Sequence, residues 1–297
     1  MKNETGTSAA RVSRLLEYME REGAVRVGEI PALLHVSTVT AGRYAAALRA
    51  CPWVTFGREY ACETERDRKL RLSPLLCFCV LSLSRTQVRV MRYCPATGEV
   101  TRQSHALCDA IPSDEALGAT FGRVLGTMSD AEKQPAFLGL LPDGDVVLPA
   151  SMQASLSVLP MDVRETLTLA ALTEQYGAER ILYVHVGDVP TMRYVHNGVS
   201  MPDLRPSEAL QREWPLANEA RVCAIVKHAA QALSVLPADR VILEADGGAS
   251  AWRDAVMRQA QTCGVALPPV EALERMSLAE REMIARLRYR LAEQILK

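Results

Sequence analysis

Five side chains that can bond phosphate oxygens or base edges lie close together in this chain: Ser37, Thr38, Thr40, Arg43 and Tyr44. Hydroxyl groups and an arginine at the start of a helix suit a nucleic-acid backbone, because the helix N-terminus by itself attracts anions. Arg43 can read a guanine or hold a phosphate. The spacing predicts the recognition helix of a DNA-binding motif.

The residues before this stretch predict the two helices that such a motif places in front of its recognition helix. Thr7 or Ser8 can cap the first helix, and Gly23 ends it. Its apolar stripe recurs at three- and four-residue spacing, at Val12, Leu15, Leu16 and Met19. Gly28 opens a second helix, which tolerates Pro31 because the first turn leaves that N–H without an intrahelical partner.

The third helix follows a turn at His35 and is predicted to be capped by Ser37. We expect Val39, Ala46 and Leu48 to face the core. The five polar side chains of its N-terminal half are then expected to project outward.

A short hairpin is predicted next, with strands at 53–55 and 60–63 and with Arg58 near its tip. Arg66, Arg68, Lys69 and Arg71 follow it; this basic run is either a solvated linker or part of a DNA-binding surface. Helix, helix, tight turn, helix and hairpin together predict a winged helix-turn-helix over residues 1–72. The alternative is a small helical bundle with no role in DNA binding.

Charge and composition are compatible with this interpretation. Residues 1–72 hold 12 basic and 9 acidic side chains, whereas the remainder holds 22 and 26, within a chain of 297 residues and net charge -1. A mildly basic head on an acidic body suits phosphate contact at one end. The length predicts two or three units, and 48% hydrophobic residues exclude a disordered or fibrous chain.

The eight cysteines form no CxxC pair and have no histidines at zinc-ligand spacing, so they are predicted to be reduced thiols without a metal. Cys77 and Cys79 are predicted to share one face of a strand. The sequence shows neither an apolar leader segment nor an apolar run of about 18 residues. We therefore expect a cytoplasmic protein with no membrane association.

The body alternates strands and helices. We predict strands over 75–83, 87–93, 99–104, 136–141, 180–186, 192–195, 199–201 and 240–245, and helices over 113–128, 162–176, 216–235, 250–263 and from 277 onward. Three successive strands followed by mixed elements predict an α/β fold with two lobes, over about 73–160 and 161–297.

The order of winged helix-turn-helix, three-strand opening and two α/β lobes resembles the ROK family of repressors, open reading frames and sugar kinases. The resemblance covers most of the chain and implies an actin-like ATPase fold for residues 73–297. The family's kinase motifs are degenerate in this sequence. Its Asp-Ile-Gly-Gly-Thr phosphate loop corresponds to 81–86, which lacks both glycines and the aspartate.

Other positions of the family pattern have also changed. The Asn-Asp pair, whose aspartate is the catalytic base, corresponds to Arg164 and Glu165, and the second phosphate loop corresponds to 187–193. Residues 200–216 contain no histidine or cysteine, so the family's zinc site is not expected and sugar binding is in doubt. Asp246, Gly247 and Gly248 are similar to the family's nucleotide-proximal turn.

Loss of both phosphate loops should abolish phosphoryl transfer, which depends on positioning phosphate and metal charge. The sequence therefore predicts a transcriptional regulator with no catalytic residues, no cofactor and no metal. Its expected partners are double-stranded DNA, a second copy in a homodimer and a possible small-molecule effector. Two alternatives stay open: a sugar kinase or other ATP-using enzyme with an accessory head, and a scaffold whose head binds protein.

Overall fold

A computed structural model provides the structure of the chain. It describes residues 2–57, 64–84, 87–106, 114–130, 132–134, 136–143, 146, 159–187, 190–197, 199–201, 210–212, 214, 217–245, 248–273 and 276–297. No helix among these residues is long and apolar enough to cross a membrane.

The chain begins with helix α1, Lys2–Glu22. Its predicted stripe is buried: Val12, Leu15, Leu16 and Met19 are each at most 2% exposed. Gly23 ends the helix at a positive φ of 76°, a backbone conformation that glycine adopts without a steric penalty. The two-residue strand β1, Val25–Arg26, follows.

Two more helices complete this part of the chain. A 3-10 turn over Val27–Glu29 leads into helix α2, Ile30–Leu34, with Pro31 in its first turn as predicted. Helix α3 covers Thr38–Ala50. Leu34 and Ile30 are buried on the inner face of α2, which places α2 against α1 and α3.

A hairpin follows, and it differs from the predicted one. Strand β2, Val54–Gly57, pairs antiparallel with β3, Lys69–Leu72, in a sheet of order β1-β3-β2. The basic segment, which the sequence predicts to be either a linker or part of a DNA-binding surface, therefore supplies the return strand, in which Leu70 and Leu72 are buried while Arg71 is exposed. The predicted strand over 60–63 lies outside the described residues.

The next sheet is four-stranded. It contains β4, Phe78–Leu83, β5, Gln87–Cys94, β6, Glu99–Ala106, and β7, Leu138–Pro142, in the order β6-β5-β4-β7. The three-strand meander is antiparallel, as predicted, and β7 joins β4 in parallel. Helix α4, Asp114–Thr127, covers one face and packs Phe121 and Val124 into the core.

The last sheet is five-stranded and surrounded by helices. Its strands are β8, Arg180–Val186, β9, Thr191–His196, β10, Val199–Ser200, β11, Arg240–Ala245, and β12, Val270–Leu273, in the order β10-β9-β8-β11-β12. The helices of this region are α5, Arg164–Tyr176, α6, Asn218–Val235, and α7, Ala249–Thr262. Strand β12, which the sequence pattern does not predict, pairs parallel with β11.

Helix α8, Leu278–Ile295, ends the chain. The chain forms two compact units, one of residues 1–164 with 283–297 and one of residues 165–282. Residues 283–297, predicted to belong to the second lobe, thus belong to the first unit. The packing of Met283 attaches the start of this segment to the first unit, because its side chain fills the space beside Gly139 of β7. A Cβ at Gly139 would lie 2.5 Å from the Met283 Sδ.

Candidate nucleic-acid interface

One side of helix α3 is buried and the other is exposed. The buried side consists of Ala41, Tyr44, Ala45 and Leu48, at i, i+3, i+4 and i+7. Three sequence predictions are therefore wrong. Tyr44 does not project outward, since it is 5% exposed, and Val39 does not face inward, since it is 67% exposed. Ala46, also predicted to face inward, is exposed as well. The i, i+3, i+4, i+7 repeat was visible in the sequence and would have given the correct face.

The exposed side carries the remaining candidate residues. Ser37, Thr38 and Arg43 are exposed and Thr40 is half-buried. Small side chains surround them, because Gly42 and Ala46 occupy the same side. The Arg43 side chain is therefore surrounded by small residues, so that a DNA groove or backbone could approach it closely.

Ser37 is the N-cap of α3, as predicted. Its φ and ψ of -64° and 155° are extended, and its Oγ accepts a hydrogen bond from the Thr40 N–H at 3.2 Å. The Ser37 Oγ also lies 3.0 Å from the Thr40 Oγ1. These bonds fix the conformation of the first turn of α3. The other backbone N–H groups at this helix N-terminus can bind an approaching anion.

The turn between α2 and α3 is tight. His35 adopts a left-handed conformation with φ 50° and ψ 49°. The Val36 N–H donates to the Pro31 carbonyl at 3.0 Å, which closes the end of α2. Only His35, Val36 and Ser37 separate the two helices, so the exposed side of α3 is held in a fixed direction relative to α2.

The loop end of the hairpin carries a cluster of charged side chains around an aromatic ring. The Arg49 guanidinium lies 4.0 Å from the centroid of the Phe56 ring and the Arg68 guanidinium 5.1 Å from it. Glu65 forms ion pairs with both arginines, at 2.9 Å to the Arg68 Nη1. The two guanidinium groups are thus held by cation-π contacts and a shared carboxylate between α3 and the hairpin.

Backbone bonds attach the hairpin to the start of α2. The Gly28 N–H donates to the Arg66 carbonyl at 2.9 Å, and the Val27 N–H donates to the Arg68 carbonyl at 3.1 Å. A Cβ at Gly28 would lie 3.2 Å from the Arg66 carbonyl oxygen, so glycine permits the close approach. The Arg66 side chain is exposed beside this contact. Arg58 lies outside the described residues, and its role stays a prediction.

Where the structure describes the positions predicted to correspond to the family's kinase motifs, their residues make structural contacts. Ser84 and Gln87 close a hairpin turn, since the Ser84 N–H donates to the Gln87 carbonyl at 3.0 Å and the Gln87 N–H donates to the Ser84 Oγ at 3.1 Å. Residues 85–86 of the first loop, 188–189 of the second, 246–247 and most of 200–216 lie outside the described residues.

The two residues at the expected base position form ion pairs. The Arg164 Nε lies 3.0 Å from the Asp143 Oδ1 in the first unit. The Glu165 Oε1 lies 2.5 Å from the Arg193 Nη1 in the second unit. Each side chain thus has a partner of opposite charge within its own unit.

Comparisons with known proteins show which fold the chain has. No protein-family model matches the sequence. No curated protein sequence matches it. The chain has the fold of a solved ROK family transcriptional regulator, a homologue of the E. coli MLC protein, with TM-score 0.57 and 11% identity over 98% of each chain. The fold is thus mixed α/β, of the type seen in that ROK family structure.

Two solved sugar kinases align over a smaller share of the chain. An inorganic polyphosphate/ATP-glucomannokinase from Arthrobacter sp. strain KM aligns over 71% of this chain and 98% of its own, with TM-score 0.49 and 14% identity. A ROK family glucokinase from Streptomyces griseus aligns over 71% and 98%, with TM-score 0.45 and 10% identity. At these identities the likenesses concern the fold alone.

Proposed function

We propose that this chain is a ROK-type transcriptional regulator whose residues 1–72 form a winged helix-turn-helix that binds double-stranded DNA. The observation that supports it most directly is the exposed side of α3, which presents Thr38 and Arg43 beside a Ser37-capped N-terminus after a three-residue turn. A helix held in this way can enter the major groove with its N-terminal half. The fold likeness to a solved transcriptional regulator over 98% of both chains supports the same proposal.

Each candidate residue of α3 and its cap has a proposed role. Arg43 contacts a guanine edge or a phosphate, and Ser37, Thr38 and Thr40 position the helix on the backbone. Val39 contacts the methyl group of a thymine, because an exposed apolar side chain on this side suits that group. Tyr44 stabilises the core, where its hydroxyl lies 3.3 Å from the Ser8 Oγ.

The body is proposed to act without phosphoryl transfer. A catalytic base needs a carboxylate that can accept a proton from the substrate, whereas Glu165 is bound to Arg193. The turn closed by Ser84 and Gln87 replaces a glycine-lined loop with side-chain bonds. ATP hydrolysis that rises above background in the presence of a hexose would contradict this part of the proposal and favour the kinase alternative.

The regulator is proposed to bind its operator as a homodimer. Two recognition helices would then read half-sites about one turn of DNA apart. Fragments selected by the full-length chain from a random DNA pool should therefore contain an inverted repeat. A monomeric mass of the DNA complex would contradict the dimer and leave DNA binding itself intact.

The decisive experiment is a fluorescence-anisotropy titration of a selected fragment with the full-length chain. Arg43→Ala should weaken binding by roughly 10-fold or more, since a good arginine contact contributes about 1–3 kcal/mol. Arg253→Ala removes an exposed arginine of the second unit, which is paired with Asp254, and is the charge-matched control. Absence of affinity for any DNA at low salt would overturn the proposed function. Binding unchanged in Arg43→Ala would overturn only the assignment of that residue.

A further inference from the structure

Two thiols and a carboxylate come together at the edge of the first lobe's core. Cys77 directly precedes β4 and Cys79 is its second residue, and their sulfur atoms lie 4.0 Å apart. The Glu132 carboxylate lies beside them, and the three ligand atoms are within 4.8 Å of one another. Among the residues that the structure describes, this is the one group of three side chains with metal-ligating atoms so close together.

We propose that Cys77, Cys79 and Glu132 bind a thiophilic divalent cation such as Zn²⁺. A tetrahedral ion with metal–sulfur bonds of about 2.3 Å holds two sulfurs roughly 3.8 Å apart. The observed separation of 4.0 Å is close to that value. Two thiolates also favour Zn²⁺ or Cd²⁺ over Mg²⁺ or Ca²⁺, which prefer oxygen ligands.

The same geometry is less suited to a disulfide. A disulfide requires a sulfur separation of about 2.05 Å, so the sulfurs would have to approach by roughly 2 Å. Residues two apart in an extended strand have Cα atoms about 6.6–6.8 Å apart, the upper end of the range that a disulfide spans. Closing this gap would bend the backbone at Phe78, which is 1% exposed in the core.

Charge balance around the group fits a divalent cation. Two thiolates and the Glu132 carboxylate carry three negative charges, and the Arg92 guanidinium, 2.8 Å from the Glu132 Oε1, carries one positive charge. The net charge of the ligand set with Arg92 is two negative, which M²⁺ neutralises as the two thiol protons are released. A neutral assembly is what a partly buried position tolerates.

Neighbouring groups orient the carboxylate and leave access to the site. The Ser129 N–H donates to the Glu132 Oε2 at 3.0 Å, and the Arg92 guanidinium donates to Oε1 at 2.8 Å and to Oε2 at 3.4 Å, so the orientation of the carboxylate beside the thiols is fixed. Cys79 is fully buried, whereas Cys77 is half-buried and the Glu132 side chain is 18% exposed. Three protein ligands on the inner side thus leave a fourth position for water.

The test is a Co²⁺ titration of the reduced, full-length chain under anaerobic conditions. One equivalent of Co²⁺ should produce thiolate-to-cobalt charge transfer and the intense visible bands of a tetrahedral ion, and Zn²⁺ should displace it. Cys77→Ser should weaken binding by about 100-fold or more, since even outer-shell changes cost 10–100-fold. Glu132→Gln should weaken it by roughly 10-fold while leaving both core thiols in place.

Cys94→Ser is the matched control, because Cys94 is another half-buried thiol of the same sheet. It should leave the spectrum and the affinity unchanged. Circular dichroism of each variant checks the fold, and Glu132→Gln keeps the test informative if a cysteine variant unfolds. A chain without the charge-transfer band, or with a band that Cys77→Ser and Glu132→Gln leave intact, would overturn the proposal.

Discussion

The Tyr93 hydroxyl donates a hydrogen bond of 2.5 Å to the Glu20 carboxylate, and so connects β5 of the first lobe to helix α1. The Arg288 Nη2 of helix α8 donates to the other oxygen of Glu20 at 2.7 Å. All three residues belong to the first unit, and their polar groups are largely withdrawn from water. One carboxylate therefore holds together three elements that are distant in sequence.

Removing the charge of Glu20 should strongly destabilise the first unit. Glu20→Gln leaves Arg288, whose side chain is 11% exposed, without its counter-charge, so the free energy of unfolding should fall by roughly 3 kcal/mol. Tyr93→Phe removes only the hydroxyl and should cost about 1.5 kcal/mol. Urea denaturation measures both. Arg21→Ala removes an exposed ion pair with Glu22 and should leave the free energy of unfolding unchanged within error. A loss comparable to that of Glu20→Gln would contradict the role of the Glu20 contacts.

Two tyrosines should make the fold sensitive to alkali. Burial, together with the hydrogen bond to Glu20, raises the pKa of Tyr93, and burial with the bond to Glu271 raises the pKa of Tyr176. A tyrosine pKa that is higher in the folded than in the unfolded state stabilises the fold at pH values below the unfolded pKa of about 10. This contribution is lost as the pH rises above that value. Stability measured from pH 8 to 12 should therefore decline above pH 10. Tyr93→Phe and Tyr176→Phe should each flatten part of that decline, and an unchanged slope in both would contradict it.

The cap of α3 allows stability and DNA binding to be separated. Ser37→Ala loses the bond to the Thr40 N–H and should cost about 1 kcal/mol of folding free energy. Ser37→Asp keeps a cap and should retain stability, yet its negative charge should weaken DNA binding. Thermal unfolding and anisotropy titrations measure the two effects. Full DNA affinity in Ser37→Asp would show that the N-terminus of α3 does not approach phosphate.

Gly139 and Met283 should be energetically coupled. Gly139→Ala places a Cβ 2.5 Å from the Met283 Sδ and should destabilise the chain by about 1–3 kcal/mol. Met283→Ala opens a cavity and should cost roughly 2–4 kcal/mol. The double variant relieves the clash, so its cost should fall short of the sum by at least about 1 kcal/mol in urea denaturation. Additive costs would mean that Met283 is displaced without strain.

Most regular elements could be predicted from their apolar patterns, which are one-sided in helices such as α1 and continuous in strands such as β8 and β11. The predicted strands over 180–186 and 240–245 coincide with β8 and β11, and the last helix was predicted to begin at 277, one residue before α8. Long alternating or continuous apolar runs bounded by glycine and proline leave little choice of structure. Strand β12 was missed because Val270 and Glu271 are only half-buried and the segment follows two prolines.

The candidate interface was harder to predict from residue types. Tyr44 is polar enough to suggest exposure, yet its ring completes the core face of α3 and only its hydroxyl reaches Ser8. The basic segment before and within β3 resembled a linker because its charges outnumber its two buried leucines. The proximity of Glu132 to Cys77 and Cys79 depends on the return of the chain beside β4, which no local pattern specifies.

The Trp53 ring lies edge-on against Phe137, with centroids 5.0 Å apart, and Phe137 in turn packs 6.3 Å from Phe78. Trp53 directly precedes β2 of the hairpin, while Phe78 belongs to β4, so these ring contacts connect the hairpin to the first lobe. A fragment cut after residue 72 would expose Trp53 to water and leave Glu20 without Tyr93 and Arg288. The exposed side of α3 therefore belongs to the same packed unit as the first lobe, and a change in the packing of that unit would change the direction of the helix.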